Sequence, residues 1–385
     1  MLRIALYHHL ASGGAARLVL EATRRSRHQY TWFRVVDDDQ PDISDELAST
    51  VSEICSLTLN GQAGRQLVTL PILERKIARA IDAGAFDVAL VYPCRVFQTP
   101  GVLSHVTTPS VYYAPEVRRG SFESGYLPSR WPRFDPRTGI WSALQGALGI
   151  RERRNFREAS AIATTSRFSA EIIQFVHGRT STVCPPGVDG ATFTYDGTSR
   201  SGSYVLAVGG LERAKRHGAV VTALASIGEP LRPELMIVCQ RGASRDEQEL
   251  LEQARRSNVR VSLLRDVSVH EVVAIYQKAA MTVCAATLEP FGLTTLESIA
   301  CGTPVVAVNR GGYREVLSSG ENGLLVEPDP SSIAAGIQQV LGRDGQAVPE
   351  ATRNEMVSKW TWNECSRQLD LLCERTVERE VVECN

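Results

Sequence analysis

The chain lacks a dominant charge: 42 Lys and Arg stand against 43 Asp and Glu in 385 residues, a formal net charge of −1. That excludes a global field for holding nucleic acid or an anionic membrane, so any such partner needs a local patch. CxxC pairs and Cys/His clusters of metal-ligand spacing are missing too, and the nine cysteines are dispersed and odd in number. Neither a complete disulfide framework nor a structural zinc site is indicated, and a reducing cytoplasm is the expected home. Long apolar runs are also lacking. The opening MLRIALYHHLASGGAARLV is broken by His8, His9 and glycines, which does not read as a signal peptide, and no later stretch reaches the roughly 18 apolar residues of a membrane span. Short repeats and low-complexity tracts are absent. What is there is an ordinary soluble composition, 43% hydrophobic and 22% charged. It supplies more than one core, and the length predicts two or three domains.

The apolar run Leu2 to Leu6 predicts a buried strand; Ser12-Gly13-Gly14 breaks it and opens a helix through about Arg25. Further strands are predicted at Thr31 to Val36, Val88 to Tyr92, Val111 to Tyr113 and Ala161 to Thr164, with a helix over Ser169 to Val176. The segment Cys184-Pro185-Pro186-Gly187-Val188-Asp189 stops both periodicities and reads as an inter-domain linker. Beyond it, strands at Tyr204 to Val208, Leu235 to Cys239, Val259 to Leu264, Met281 to Ala285 and Pro304 to Val308 alternate with helix-length segments. That alternation predicts a parallel, doubly wound sheet whose ligands lie beyond the carboxyl ends of the strands. A helix is expected over Asn363 to Glu374. The expected division is a first α/β domain over 1–184, a linker over 185–198, a second α/β domain over 199–360, and a closing helix over 361–385 that crosses back toward the first domain.

The most informative stretch is Glu289-Pro290-Phe291-Gly292-Leu293-Thr294-Thr295-Leu296-Glu297, followed by Ala300 to Val306. Glu289 is expected where a strand ends, and Gly292 to Thr294 would open the next helix. Backbone N–H groups and the positive end of the helix dipole make such a turn able to hold a diphosphate. Glu297, near the first turns of that helix, is placed to accept hydroxyl hydrogen bonds from a ribose. An isolated acidic first turn is an ordinary dipole-stabilising feature; here its surroundings point further.

Glu289 and Glu297 with seven residues between them, in EPFGLTTLESIACGTPVVAVNRGGYREVL, resemble the signature of the retaining family 4 glycosyltransferases. The resemblance extends over most of the chain, through the glycine turn at Gly13 to Arg17, Ser166 to Ile173, Pro185 to Asp189 and the terminal tryptophans. It implies a GT-B fold, two Rossmann-like domains facing across a cleft, with a nucleotide sugar in the second. It further implies that Glu289 contacts the donor sugar's hydroxyls, that Glu297 meets the ribose, and that the backbone from Phe291 through Gly292, Leu293 and Thr294 faces the phosphates. No metal and no cofactor are implied; the nucleotide sugar is a co-substrate.

In Gly209 to Arg216, three cations follow a predicted strand, where they can neutralise a departing nucleoside diphosphate. The resemblance places an arginine and, five residues later, a lysine in this loop. Lys215 matches, whereas Gly210 stands where the arginine is expected, and Arg213 is the candidate substitute. Gly13 and Gly14 form the glycine turn of the first domain, bare enough to approach a diphosphate. Tyr113, Glu116 and Arg118 resemble the end of a strand that faces the acceptor. Many relatives carry a histidine in that region; here Ala114 and Pro115 take its places, so either its role is dispensable or another residue, such as His8 or His9, has taken a neighbouring position. Arg265 and Val267 lie at another predicted strand end that offers backbone to the base. Asp37-Asp38-Asp39 could hold a divalent metal, although an Asp-rich turn is usually just solvated.

Between Arg130 and Arg157 seven arginines, at 130, 133, 137, 151, 153, 154 and 157, face only Asp135 and Glu152, with Trp131, Phe134 and Trp141 interleaved. The segment reads as an exposed loop and charged helix, or as a peripheral contact to anionic lipid or an acidic acceptor. No nucleic-acid motif accompanies it. The expectation is therefore a cytoplasmic, metal-independent, retaining glycosyltransferase. It would take a UDP-sugar first and a GDP-sugar second, and use a lipid-linked glycan, polysaccharide or small metabolite as acceptor. The alternatives are a sugar-nucleotide epimerase on the same fold and a non-catalytic nucleotide-sugar binder.

Overall fold

The computed structural model describes residues 1–10, 14–37, 53–59, 63–119, 136–197, 204–239, 245–317, 320–343 and 346–383. Two compact units divide the chain, Met1–Pro185 with Trp362–Asn385, and Pro186–Thr361.

In the first unit the order is β1 (Arg3–His9), α1 (Gly14–Arg25), β2 (Gln29–Asp37), β3 (Glu53–Leu59), α2 (Ala63–Ala83), β4 (Val88–Cys94), β5 (Ser110–Tyr113), α3 (Pro136–Glu158), β6 (Ala161–Thr164), α4 (Arg167–His177) and β7 (Thr182–Val183). The seven strands form one parallel sheet in the order β3-β2-β1-β4-β5-β6-β7. Every residue of β4 is buried, as a strand covered on both faces must be. Sequence chemistry sets the start of α4: the Ser166 hydroxyl accepts from Ser169 N at 2.9 Å, one of the donors a helix start leaves open.

The second unit runs β8 (Tyr204–Val208), α5 (His217–Ala225), β9 (Glu234–Val238), α6 (Arg245–Arg256), β10 (Val261–Leu264), α7 (Val269–Lys278), β11 (Met281–Cys284), α8 (Leu293–Ala300), β12 (Val305–Val308), α9 (Tyr313–Val316), β13 (Gly323–Val326), α10 (Pro330–Leu341) and α11 (Glu350–Lys359). Its six parallel strands are ordered β10-β9-β8-β11-β12-β13. Capping is explicit here. Ser268 and Glu271 form a reciprocal capping box at α7, and Asp329 caps α10 ahead of Pro330.

The last helix, α12 (Trp362–Glu383), belongs to the first unit and packs along α1. Ser366 donates to the Ala22 carbonyl at 2.8 Å, and Asp370 accepts from the Ser26 hydroxyl at 2.6 Å.

Candidate active site

The second sheet reverses its winding between β8 and β11, which pair directly, Met281 beside Val205 and Thr282 beside Leu206. A doubly wound sheet opens a crevice at such a switch point, beyond the strands' carboxyl ends. β8 feeds a loop holding a single 3₁₀ turn, Arg213–Lys215, and β11 feeds the segment that contains Glu289. From these neighbouring strand ends Lys215 Nζ donates to Glu289 Oε2 at 2.8 Å. The two side chains are 35% and 17% exposed, so both charges still meet solvent. Glu289's attraction raises the Lys215 pKa against the opposing effect of burial, and Cys284 and Glu212 lie close enough to add to it.

Beside this pair α8 begins. Gly292 takes the left-handed conformation, φ 100° and ψ 54°, and a Cβ there would come within 2.6 Å of the Tyr313 ring. Thr295 secures the turn, its N–H and its hydroxyl both bonding the Gly292 carbonyl, at 2.9 and 2.5 Å. The first N–H groups of an α-helix have no intrahelical acceptor, so Leu293 and Thr294 present backbone donors at the switch point. Thr294 Oγ1 lies 3.6 Å from Cys284 Sγ, and burial pushes that thiol up to about 12, which keeps it neutral.

Residue-by-residue reasoning missed what stands behind Glu289. Gly312 N donates to the Glu289 carbonyl at 2.8 Å. A Cβ on Gly311, whose φ is +74°, would come 2.6 Å from that same carbonyl oxygen, and one on Gly312 would come 2.4 Å from the Pro290 carbonyl oxygen. The loop after β12 thus fixes the main chain that carries the glutamate. The signal was legible as two consecutive glycines, Gly311 and Gly312, two residues beyond an apolar strand. Arg216, the third cation of the expected loop, donates to the Ala285 and Pro328 carbonyls, at 3.3 and 2.8 Å, tying its loop to the segments that follow β11 and β13.

The side chains of the remaining candidates are engaged within the unit. Glu297 is 9% exposed and accepts from the buried Tyr276 hydroxyl at 3.2 Å. Arg213 pairs with Asp246 and Glu249 of α6, at 3.2 and 2.5 Å, and Arg265 pairs with Glu247 at 2.6 Å. Phe291 is buried edge-on to Trp360, with ring centroids 5.1 Å apart, and Leu293 and Val267 pack on the core.

In the first unit Gly14 opens α1. Tyr113 is a core residue, stacked on Tyr92 at 5.3 Å with its hydroxyl donating to the Cys184 carbonyl at 2.7 Å. Glu116 is half-buried, its carbonyl accepting from Gln98 Nε2 at 3.3 Å, and Arg118 N donates to Glu152 at 2.9 Å. His8 and His9 are buried, His8 edge-on to Trp32 at 5.1 Å and His9 Nδ1 3.3 Å from Cys94 Sγ. Gly13, Asp38, Asp39, Arg130, Trp131, Arg133, Phe134 and Asp135 lie outside the described residues, as do the side chains of Asp37, Arg137 and Trp141. Among the described residues no His, Cys, Asp and Glu cluster suits a metal ion.

Residues 198–357 match the family model of the group 1 glycosyl transferases. A phosphatidyl-myo-inositol mannosyltransferase of Mycolicibacterium smegmatis is 31% identical over 310 residues, covering 78% of this chain and 74% of that one. A D-inositol 3-phosphate glycosyltransferase of Corynebacterium urealyticum is 31% identical over 210 residues, 49% of each chain, so the match spans about half the length of that relative. Among solved structures, a sucrose-phosphate synthase of Thermosynechococcus elongatus has a TM-score of 0.77 at 18% identity, over 100% of both chains. HepE of Anabaena, solved with UDP-glucose, has a TM-score of 0.72 at 18% identity, over 97% of this chain and 100% of that one. At that identity the likeness establishes the fold, which is GT-B, built from two parallel-sheet α/β units.

Proposed function

The chain belongs to the group 1 glycosyl transferase family, and from that premise we propose that it moves a sugar from a nucleoside-diphosphate sugar to a hydroxyl acceptor with retention of anomeric configuration. The observation that carries this reading is the Lys215–Glu289 pair beside the start of α8. Breaking the bond to the anomeric carbon leaves negative charge on the departing diphosphate. Lys215 and the backbone N–H groups of Leu293 and Thr294 stabilise that charge where it develops. Glu289 orients the sugar through its hydroxyls, and Glu297 receives the ribose. Charge neutralisation by a side chain and a helix start, rather than by a metal, makes the reaction metal-independent. The donor is a UDP-sugar ahead of a GDP-sugar, a choice supported by the structural neighbour solved with UDP and UDP-glucose. Relatives named for inositol phosphates and phosphatidylinositol support a hydroxyl acceptor that bears phosphate. A reducing cytoplasm suits the eight free cysteines of the described residues.

Calorimetric titration with UDP, GDP, ADP and dTDP, repeated on Lys215→Ala and Glu297→Ala, tests the donor site. One diphosphate is expected to bind, and both substitutions are expected to weaken it. Transfer is then followed by NMR of the product's anomeric proton, with and without EDTA. Silence with every diphosphate, or an inverted product, would sink the reading.

A further inference from the structure

The outer faces of α2 and α3 in the first unit carry a pattern that the sugar chemistry does not use. On α2, Val68, Ile72, Arg75 and Arg79 follow one another at helical spacing on a single stripe. Val68 is 67% and Ile72 51% exposed, and both arginines are exposed. On α3, Ile150 is 71% exposed and is followed on its own stripe by exposed Arg153, Arg154 and Arg157. Each helix therefore shows solvent an isoleucine followed by cations.

The two stripes meet. Both helices pack on the short turn Gly101–Ser104, and His105 directly after it accepts from Arg75 Nε at 3.2 Å. Arg79 and Arg154 are also near enough to His105 to disfavour its protonation. The acidic residues of these helices do not offset the cations. Glu74 is fully buried on Arg151, Glu152 is buried, and Asp82 is taken up by the Thr107 and Thr108 backbone. Only Glu158, 3.5 Å from Arg157, stands in the exposed set. Among the described residues Lys76, Arg79, Arg153 and Arg154 have no carboxylate partner.

Exposed branched aliphatics beside clustered cations are costly in water and favourable at an anionic lipid surface. There the side chains enter the acyl boundary while the cations meet the headgroups. We propose that the joined faces of α2 and α3 form a docking surface for an anionic lipid bilayer, with Ile72 and Ile150 entering it and Arg75, Arg79 and Arg154 on the headgroups. No helix of the described residues is long and apolar enough to cross a membrane; this is attachment from one side.

The test is co-sedimentation of the full chain with vesicles of phosphatidylcholine alone and of phosphatidylcholine mixed with phosphatidylglycerol, at low and high salt. Binding is expected only to the mixed vesicles, weakened by salt. Each cation near such a surface contributes about fivefold in partitioning, so Arg79→Glu with Arg154→Glu is expected to lower it about tenfold or more. Ile72→Ser with Ile150→Ser is expected to remove the salt-resistant part. All four side chains are exposed, and circular dichroism verifies that the variants fold. No sedimentation, equal binding to neutral vesicles, variants that bind as the parent does, or capture by dextran sulfate without vesicle binding would each overturn the proposal.

Discussion

Lys215 and Glu289 stand 74 residues apart in the chain, yet leave adjacent parallel strands at the switch point and meet at 2.8 Å. The pair balances charge at these strand ends, and on the proposed function an incoming diphosphate competes with Glu289 for the same ammonium.

That competition gives a prediction for pH. Because Glu289 holds the Lys215 pKa above its ordinary value, Lys215 stays charged through the neutral range, and its contribution is lost as pH rises through the raised pKa. Glu289→Gln removes the main cause of the rise. The alkaline limb of diphosphate binding is then expected to move to lower pH, measured by calorimetry between about pH 8 and 11. An unmoved limb would separate Lys215 from the phosphates. Lys215→Ala is expected to lower kcat by about a hundredfold or more, the scale of losing one charge-stabilising donor.

A second prediction separates strain at the site from strain elsewhere. Gly311→Ala forces a positive φ on a side chain and drives its Cβ to 2.6 Å from the Glu289 carbonyl. Gly323→Ala does the same against the Val305 carbonyl at 2.2 Å, in the sheet. Both are expected to cost about 1–3 kcal/mol of stability, read by thermal unfolding. Only Gly311→Ala is expected to weaken diphosphate binding as well, because only it shifts the main chain of Glu289.

These contrasts bear on what the sequence could reveal. Strands buried on both faces announced themselves as apolar runs: Ala161–Thr164 and Tyr204–Val208 fall where the runs do. The strand Glu53–Leu59 pairs on one side only, at the edge of the sheet, and its alternating polar residues gave no such run. The two-residue Thr182–Val183 is too short for any period. At the site, local chemistry placed Lys215 and Glu289 at strand ends, but their contact depends on strand order, which no local pattern encodes. Tyr113 illustrates the reverse. The sequence located its strand, yet a period of two cannot tell which face is solvated when both are covered, and its hydroxyl is committed to the Cys184 carbonyl. Arg213 sits in the expected loop, but the acidic first half of α6 claims its guanidinium.

His8 predicts how the fold responds to acid. Burial, with Arg34 and His9 adding to it, pushes its pKa down to about 3, and among the described residues neither ring nitrogen has a hydrogen-bond partner. Between about pH 6.5 and that value the unfolded chain holds a proton that the folded chain refuses, so stability falls as pH falls. One such proton is worth about 1.4 kcal/mol per pH unit. His8→Phe is expected to flatten the acid limb of a urea-denaturation series; an unchanged slope would mean that the imidazole finds a partner when charged.

The buried ion pair of the first unit predicts the opposite slope. Glu74 is fully buried, accepts from Gly101 N at 2.8 Å and from Arg151 Nη2 at 2.5 Å, and Arg151 also lies over the Phe97 ring at 4.2 Å. Burial raises the Glu74 pKa although Arg151 pulls it down. Removing the arginine leaves a carboxylate with no countercharge in the core, so Arg151→Ala is expected to cost about 3–5 kcal/mol at neutral pH. Its folded-state pKa then rises further, and the folded chain binds a proton more readily than the unfolded one. The deficit relative to the parent is therefore expected to shrink as pH is lowered toward about 5, and Glu74→Gln in the same background is expected to restore stability at pH 7. Urea denaturation of the parent and the two variants at both pH values decides it. A deficit independent of pH, or a double variant no better than the single, would show that Arg151 acts by packing on Phe97 and not by charge.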